Sequence, residues 1–356
     1  MRLVSAPGQA RWGGPARRPG RRAAGAAAAA AGLVLVAGCH VPGFSSSAAG
    51  GPTASGTVIV AAAPGVADAP LYIGIKDGYF SRAGLTVHVV PSSSVPQAVA
   101  ALHSGSADVA FGDYVNMFYA LQQRSAHLVT VADGYDAAPN VMEVLTLPHS
   151  RIGSPRKLEG KTIGTAAQQG MPLRAKDGKP LPYNMDTVAT WSVLASDNVD
   201  PSQIHWDPMP TGNLVNALKF HQVDAILATE PIIYAAESQL GSVPVVDSCT
   251  GATANLPLDG YFTTKSYASK NPQVLAAFRG ALAKAQAQAA MAAPLQTALT
   301  KSAGLKAQAA AMVTLGSYPT TLSAANLQRV VQLMYNFGTL PSNFNVKSMV
   351  VKPNGS

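Results

Sequence analysis

Residues 57–90, TVIVAAAPGVADAPLYIGIKDGYFSRAGLTVHVV, contain the repeating unit from which the fold is predicted. Residues 57–63 (TVIVAAA) are apolar after Thr57 and predict a buried strand, and residues 85–90 predict a second strand. Between them, residues 69–80 predict a helix with Asp68 at its N-cap. A strand, a helix and a second strand in this order form a βαβ unit, in which the two strands are parallel.

The same alternation continues along the chain. Further strands are predicted at 108–112, 128–132, 161–165, 204–208, 224–228 and 243–246, and further helices at 95–104, 114–124, 186–197, 214–221 and 231–239. Short strands that alternate with helices indicate mainly parallel sheets with helices packed on them. The sequence therefore predicts an α/β protein.

Two extended segments divide this pattern into two lobes. Residues 141–147 (VMEVLTL) are suited to crossing from a first lobe into a second, and the segment from Asp259 (DGYFTTKSY) is suited to returning. We expect lobe one to comprise residues 57–145 and 257–356 and lobe two residues 146–256. Two lobes joined by two crossings form a hinge, as in proteins that close around a ligand.

The C-terminal part is predicted to be helical and to pack on lobe one. Asn271 and Pro272 begin one helix, and Ser323 caps another. The second helix has apolar residues at i, i+3, i+4 and i+7, namely Leu327, Val330, Val331 and Met334. Such a stripe is typical of a helix that buries one face.

The N-terminus predicts an export signal. The apolar stretch 23–38 has 16 residues, fewer than the roughly 20 that a membrane span needs. Six arginines precede Cys39, and no acidic residue occurs before Asp68. A basic segment followed by a short apolar one describes a signal peptide, so we expect residues 1–38 to be cleaved. The Gly, Ser and Ala residues of 39–56 predict a flexible tether.

Cys39 ends the sequence Val36-Ala37-Gly38-Cys39, which resembles a bacterial lipobox. The resemblance implies an exported protein that lipid on Cys39 anchors at the outer face of the cytoplasmic membrane or facing a periplasm; an ordinary buried cysteine is the alternative. Arginine pairs leave both general and twin-arginine export open. Lipidation would leave Cys249 without a partner, so no intramolecular disulfide is expected.

Charge and motif spacing argue against several classes of function. The chain carries 26 Lys+Arg against 18 Asp+Glu, a net charge of +8, and the six arginines before Cys39 reduce the mature balance to 20 against 18, or +2. That balance removes the main support for nucleic-acid binding. Five histidines lack metal-ligand spacing, namely His88, His103, His127, His205 and His221. No catalytic residue, metal or cofactor is predicted.

Several segments resemble one family. PLYIGIKDGYF at 70–80 and AGLTV at 83–87 resemble the opening of SsuA-like solute-binding proteins, which serve ABC importers of nitrate, sulfonates, taurine and thiamine-pyrimidine precursors. ALHSGSADVA (101–110), LEGKTIG (158–164) and ALKFHQVDA (217–225) resemble later units of that family in the same order. The resemblance implies a two-lobed clamshell of the type II periplasmic-binding-protein class, a small-molecule solute, an ABC permease as partner and a monomer.

Candidate ligand-binding residues follow from the position of the strand ends. In open α/β sheets, ligands bind outside the carboxyl ends of the strands, where helix N-termini offer free N–H groups. The predicted binding residues are Asp68, Ala69, Gly112, Asp113, Tyr114 and Tyr135 in lobe one, and Thr165, Ala166, Gln168, Thr187, Thr211 and Glu230 in lobe two. A helix cap, a strand-end turn or simple packing is the alternative role of each. Asp133 is expected in a solvated turn.

The chemistry of the ligand stays open at this point. A bare anion beside Asp113 and Glu230 would be unfavourable, whereas an amine-bearing or heteroaromatic solute would use their carboxylates as acceptors. The family resemblance includes sulfonate, taurine and nitrate as well. An insertion at 168–184 would form a lid, a permease contact or a surface loop. Two alternatives to a solute-binding protein stay open, namely a pyrimidine-synthase-like enzyme on the same fold and a surface-tethered interaction protein without ligand transport.

Overall fold

A computed structural model describes residues 55–123, 127–167, 173–174, 178 and 180–351. Cys39, the leader and Gln168 lie outside these residues. The strands are β1 (Gly56–Ala62), β2 (Leu85–Pro91), β3 (Val109–Asp113), β4 (Leu128–Asp136), β5 (Met142–Thr146), β6 (Thr162–Ala166), β7 (His205–Met209), β8 (Ala225–Thr229), β9 (Val243–Asp247) and β10 (Pro257–Thr264). The helices are α1 (Ala69–Lys76), α2 (Tyr79–Arg82), α3 (Val95–Ser104), α4 (Tyr114–Gln122), α5 (Met185–Ser196), α6 (Leu214–Lys219), α7 (Ile232–Leu240), α8 (Lys265–Lys270), α9 (Pro272–Ala289), α10 (Ala292–Lys301), α11 (Ala307–Met312) and α12 (Ala324–Asn336). Short 3-10 turns lie at Pro155–Leu158, Pro201–Gln203, Thr211–Asn213, Gly251–Thr253 and Val346–Met349.

The strands form two five-stranded sheets of the same topology. The first has the order β2-β1-β3-β10-β4 and the second β7-β6-β8-β5-β9. In each sheet three neighbouring strands are parallel, and the fourth position is taken by a strand antiparallel to both of its neighbours. That strand is the one that arrives from the other sheet. The predicted α/β fold with two lobes is confirmed.

The chain enters the second lobe a few residues earlier than the sequence predicted. All five residues of β5 are buried, and the strand pairs with β8 and β9 in the second sheet. The chain therefore leaves the first sheet after Asp136 and enters the second at Met142, and residues 142–145 pair with lobe two. A fully buried strand needs partners for the backbone N–H and C=O groups on both of its edges, and the second sheet supplies a neighbouring strand on each side.

The predicted helix 69–80 is wrong in its length. The helix α1 ends at Lys76, and α2 begins at Tyr79. Between them Gly78 has φ 71°, a left-handed conformation that glycine adopts readily and that interrupts the helix. By contrast, α3 begins and ends as predicted, with the Ser94 side chain accepting from the backbone N–H of Gln97 and Gly105 at φ 73° after its last turn.

The C-terminal helices pack on the first sheet's helices, and α12 also reaches the second lobe. The helix α9 lies against α1 and α2, where Phe278 stacks on Phe80 with ring centroids 5.2 Å apart. Ser323 caps α12 by accepting from Asn326 N–H. The four residues of the predicted apolar stripe are fully buried, and the helix contacts α4 and α5. Within the described residues no helix combines the length and apolarity of a membrane span.

Replacing Phe278 by alanine tests the packing of α9. The ring is 0% exposed, so we expect Phe278→Ala to lower the free energy of unfolding by about 3–5 kcal/mol through lost burial and a residual cavity. Urea denaturation followed by circular dichroism measures this loss. Phe220→Ala, at a ring that is 64% exposed, is the matched control, with an expected change within about 0.5 kcal/mol. Equal losses in both variants would contradict this packing.

Candidate functional site

A cavity of ≈ 340 Å³ lies between the two sheets, a volume within the range of small-molecule sites. Its wall includes residues at or just after strand ends, residues at helix starts, and Met142, Leu258 and Asp259 at strand starts. The first sheet and its connections contribute Ala63, Gly65, Val66, Ala67, Asp68, Ser92, Ser93, Ser94, Val95, Phe111, Gly112, Asp113, Tyr135, Leu258 and Asp259; the remaining lining residues are Val141, Met142, Ala166, Met185, Asp186, Thr211, Thr229 and Glu230. The ends of β1, β2, β3, β6, β7 and β8 thus converge on one space.

Seven of the twelve predicted binding residues line this cavity. They are Asp68, Gly112, Asp113, Tyr135, Ala166, Thr211 and Glu230. Gln168 lies outside the described residues. Ala69, Tyr114, Thr165 and Thr187 do not line the cavity, and their own surroundings account for this.

Two of these four residues, Thr165 and Thr187, make hydrogen bonds within lobe two. The Thr165 hydroxyl is hydrogen-bonded to the Tyr183 hydroxyl. Thr187 takes part in a capping box with Asn184 at the start of α5, in which Thr187 N–H donates to Asn184 Oδ1 over 2.9 Å. Both threonines are buried, so their polar atoms stabilise local structure, as helix-capping residues do.

Tyr114 is buried beneath the cavity. Its hydroxyl donates to Asp133 Oδ1 over 2.9 Å, and a Cβ at Gly260 would collide with that hydroxyl. The expected solvated turn at Asp133 is wrong: the strand β4 continues to Asp136, and Asp133 is 3% exposed. Burial and the neighbouring Asp136 raise the pKa of Asp133 above its usual range. Ala69, also fully buried, packs in the first turn of α1.

Several residues that line the cavity are not among the twelve predicted from sequence. Ser92, Ser93 and Ser94 follow β2, and the rule of carboxyl strand ends would have selected them. Asp259 could not be selected in that way because β10 is antiparallel. Its register pairs Asp259 with Asp113, so the entering end of β10 lies beside the leaving end of β3.

Asp68 occupies the N-cap position of α1, but its side chain lines the cavity and does not cap the helix. It makes no side-chain hydrogen bond to the helix; instead Oδ1 accepts from Gly65 N–H over 2.8 Å. The residue is 0% exposed, and Oδ2 is buried without a hydrogen-bond partner in the described residues. Burial of the carboxyl raises its pKa to about 7. An unpartnered buried oxygen is costly unless a bound group satisfies it.

Three further aspartates share this environment. Asp113 caps α4 by accepting from the Asn116 backbone N–H and from its amide, and burial raises its pKa to about 6. Asp186, in the first turn of α5, has a pKa raised to about 7 by burial and by Asp113. The pKa of Asp259 is raised well above its usual range by burial and by Asp113, Asp186 and Asp68.

Two residues that line the cavity, Glu230 and Tyr135, accept hydrogen bonds from a C-terminal segment, residues 314–318. Glu230 accepts from Tyr234 N–H in α7 over 3.1 Å and from Thr314 N–H over 2.9 Å. The Tyr135 hydroxyl accepts from Gly316 N–H over 2.6 Å, and its ring lies 5.3 Å from that of Tyr318. The segment is thus bonded to side chains of both lobes. No group of His, Cys, Asp and Glu in the described parts of the chain is arranged to hold a metal ion.

Comparison with known proteins agrees with this architecture. The family model described as NMT1/THI5 like matches residues 67–298. The structure resembles the periplasmic aliphatic sulphonate binding protein SsuA from Escherichia coli, with a TM-score of 0.66 and 18% identity over 84% of this chain and 98% of that one. It also resembles the periplasmic nitrate-binding protein NrtA from Synechocystis PCC 6803, with a TM-score of 0.62 and 13% identity over 83% and 84%.

One structural neighbour is an enzyme. The desulfurization enzyme DSZB has a TM-score of 0.63 and 15% identity, over 83% of this chain and 96% of that one. No curated protein has a sequence that matches this chain. At these identities the solved structures establish the shared fold.

The raised pKa of Asp68 predicts a pH-dependent stability of the ligand-free protein. Between the ordinary value of 3.8 and about 7, the folded state keeps a proton that the unfolded state releases, so stability falls as pH rises, by up to roughly 1.4 kcal/mol per pH unit. We expect Asp68→Asn to reduce this slope and to be more stable than the unsubstituted protein at pH 8.

Urea midpoints measured from pH 4.5 to pH 8 report the slope. The exposed Asp197 provides the matched control, since Asp197→Asn changes a solvated carboxyl and is expected to keep the original slope. An Asp68→Asn variant with the original slope, or one less stable at pH 8, would contradict the buried position of this carboxyl.

Proposed function

Because the chain belongs to the NMT1/THI5-like family, we propose that it is the extracytoplasmic solute-binding component of an ABC importer. It binds a small organic solute between its lobes and delivers it to the membrane permease. The sulphonate- and nitrate-binding neighbours support this class of function. The solute is of the sulfonate, taurine or nitrate type, or an amine-bearing heteroaromatic compound such as a thiamine-pyrimidine precursor.

The observation that carries the proposal is a cavity lined from both sheets. Asp68 and Asp113 approach it from the first sheet, and Thr211 and Glu230 from the second. A ligand in this space touches both lobes only when they are close together, so its binding energy favours closure about the two crossings. We assign solute binding to the seven predicted residues that line the cavity, with Asp186 and Asp259 added.

The N-terminal part of the proposal concerns the membrane. We propose that the leader is cleaved before Cys39, that lipid on Cys39 anchors the protein, and that residues 39–56 tether it as a monomer near its permease. Anchoring keeps a receptor at high effective concentration beside its partner. Support comes from the basic and apolar leader sequence and from the resemblance to a lipobox.

An enzyme on this fold has less support. A cysteine nucleophile must be accessible as a thiolate. Cys249, the one cysteine among the described residues, is 2% exposed, and burial raises the pKa of its thiol far above the usual range. The described lining of the cavity also contains no histidine.

Solute binding in the cleft is tested with a panel of small molecules of different charge, including nitrate, taurine, a sulfonate and aromatic amines. We expect at least one to raise the melting temperature in a saturable way and to reduce the radius of gyration measured by small-angle X-ray scattering. Thr211→Trp fills the cavity from the exposed 3-10 turn at Thr211–Asn213 and should abolish both effects. Ser269→Trp, exposed on α8 and absent from the lining, should leave them unchanged; loss in both variants, or no response to any compound, counts against the proposal.

The anchor is tested with Cys39→Ala expressed in a lipoprotein-processing bacterium. We expect the variant to be released into the soluble fraction with its solute affinity unchanged, because Cys39 carries the lipid and contributes nothing to the cleft. Fractionation and immunoblotting measure the distribution. Ser46→Ala in the tether is the control and should stay in the membrane fraction. A membrane-bound Cys39→Ala protein would show that the lipoprotein assignment is wrong.

A further inference from the structure

The cavity is lined by acidic side chains from both lobes. Asp68, Asp113 and Asp259 belong to the first sheet and its connections, and Asp186 and Glu230 to the second lobe. None of the described lining residues is Lys, Arg or His. The one salt bridge found in the described residues, between Lys161 and Asp224, involves no lining residue. The carboxyls of the cleft thus have no cationic partner in the part of the chain that the structure describes.

These carboxyls differ in how far the protein itself satisfies them. Both oxygens of Glu230 accept backbone N–H bonds, and both oxygens of Asp113 accept from Asn116. Asp68 keeps one buried oxygen without a partner. No donor among the described residues reaches the carboxyls of Asp186 and Asp259. Three carboxyls around one space therefore retain unused acceptor atoms.

The groups that face these carboxyls are themselves acidic or neutral. Asp68 interacts electrostatically with Tyr72 on α1, with Tyr261 and Asp259 on β10, and with Tyr318. Asp259 also faces Asp113, Asp186 and Asp133. Burial raises the pKa of Asp68 to about 7, and burial together with the neighbouring Asp113 raises the pKa of Asp186 to about 7, so the empty cleft keeps protons on part of this cluster.

Two classes of ligand fit this lining poorly. Nitrate or a sulfonate requires hydrogen-bond donors and positive charge, and would instead meet unused acceptors and repulsion. A metal ion requires converging ligands, and no suitable group of His, Cys, Asp and Glu occurs among the described residues. The rest of the wall includes the apolar side chains of Phe111, Met142, Met185 and Leu258 and the ring of Tyr135.

We propose that the cleft binds an organic cation, a solute with a protonated amine or amidine on an apolar or aromatic body, and that the cation takes the place of protons on the acidic cluster. On binding, a carboxyl releases its proton to solvent, and the carboxylate formed accepts hydrogen bonds from the N–H groups of the ligand. The apolar body lies against Phe111 and Leu258, with Tyr135 offering a ring face to the charge. This inference rests on the proposed function and deepens it by naming a cationic solute, in contrast to the sulphonate and nitrate of the named neighbours.

The experiment compares ligands that share one aromatic ring and differ in charge, with the full mature protein at pH 8. The probes are benzylamine and benzamidine as cations, benzyl alcohol as the neutral analogue and benzenesulfonate as the anion, with agmatine, taurine and nitrate added. We expect a saturable rise in melting temperature with at least one cation and none with the neutral or anionic analogues. A rise with benzenesulfonate or nitrate, or no rise with any cation, would overturn the inference.

Proton exchange has its own measurement. Isothermal titration calorimetry of the best cation in two buffers of different ionisation enthalpy should show release of about one proton near pH 6.5, and the affinity should fall about tenfold per pH unit below pH 7. Binding without proton release and without pH dependence would show that the carboxyls are already ionised in the empty cleft. That result would contradict the replacement of protons by the cation.

Two variants locate the charge. Asp68→Asn and Asp259→Asn should each weaken cation binding at least tenfold at pH 8, whereas Asp197→Asn should bind normally. Urea denaturation of the ligand-free variants confirms that they are folded. The outcomes separate the two proposals: closure on an anion would leave the receptor function standing and refute the cationic ligand, and no closure on a ligand of any charge would refute both.

Discussion

Each sheet of this protein is completed by a strand that comes from the other sheet. The strand β10 enters between β3 and β4, and β5 enters between β8 and β9. Backbone hydrogen bonding therefore ties the two lobes into one unit, because neither sheet is continuous without its visiting strand. The exchange also makes the two topologies identical and turns the carboxyl ends of both sets of parallel strands toward a common space.

The chemistry of that space follows from the same exchange. An antiparallel strand places the beginning of one chain segment beside the end of another, and this is why Asp259 lies opposite Asp113. Parallel strands alone would have brought only strand ends and helix starts together. The visiting strand adds a carboxyl to those of Asp68 and Asp186, and the cleft becomes a concentrated acidic surface. Such a surface lowers the stability of the empty protein at neutral pH, as binding sites commonly do.

Local patterns predicted much of the architecture from sequence. The apolar run 57–63, the Ser94 cap and the Gly105 stop each depend on interactions within about ten residues, and each was found as expected. Seven of the cavity residues were also predicted, because the rule of carboxyl strand ends depends only on knowing where strands stop. The break at Gly78 was missed because a single glycine inside a helical pattern can be tolerated, and its left-handed φ of 71° is known only from the folded chain.

The amino-acid sequence by itself determined the alternation of strands and helices, the division into two lobes and the family, because periodicity, caps and motif order are local properties. Only the tertiary structure decided which polar side chains face the cavity. Tyr114 and Thr165 have the same kind of position in the sequence as Asp68 and Thr211, yet they use their hydroxyls inside the protein. Whether a hydroxyl or carboxyl is left for a ligand depends on partners that are distant in sequence, as Asp133 is for Tyr114. Contacts of that range are set by strand register and helix packing.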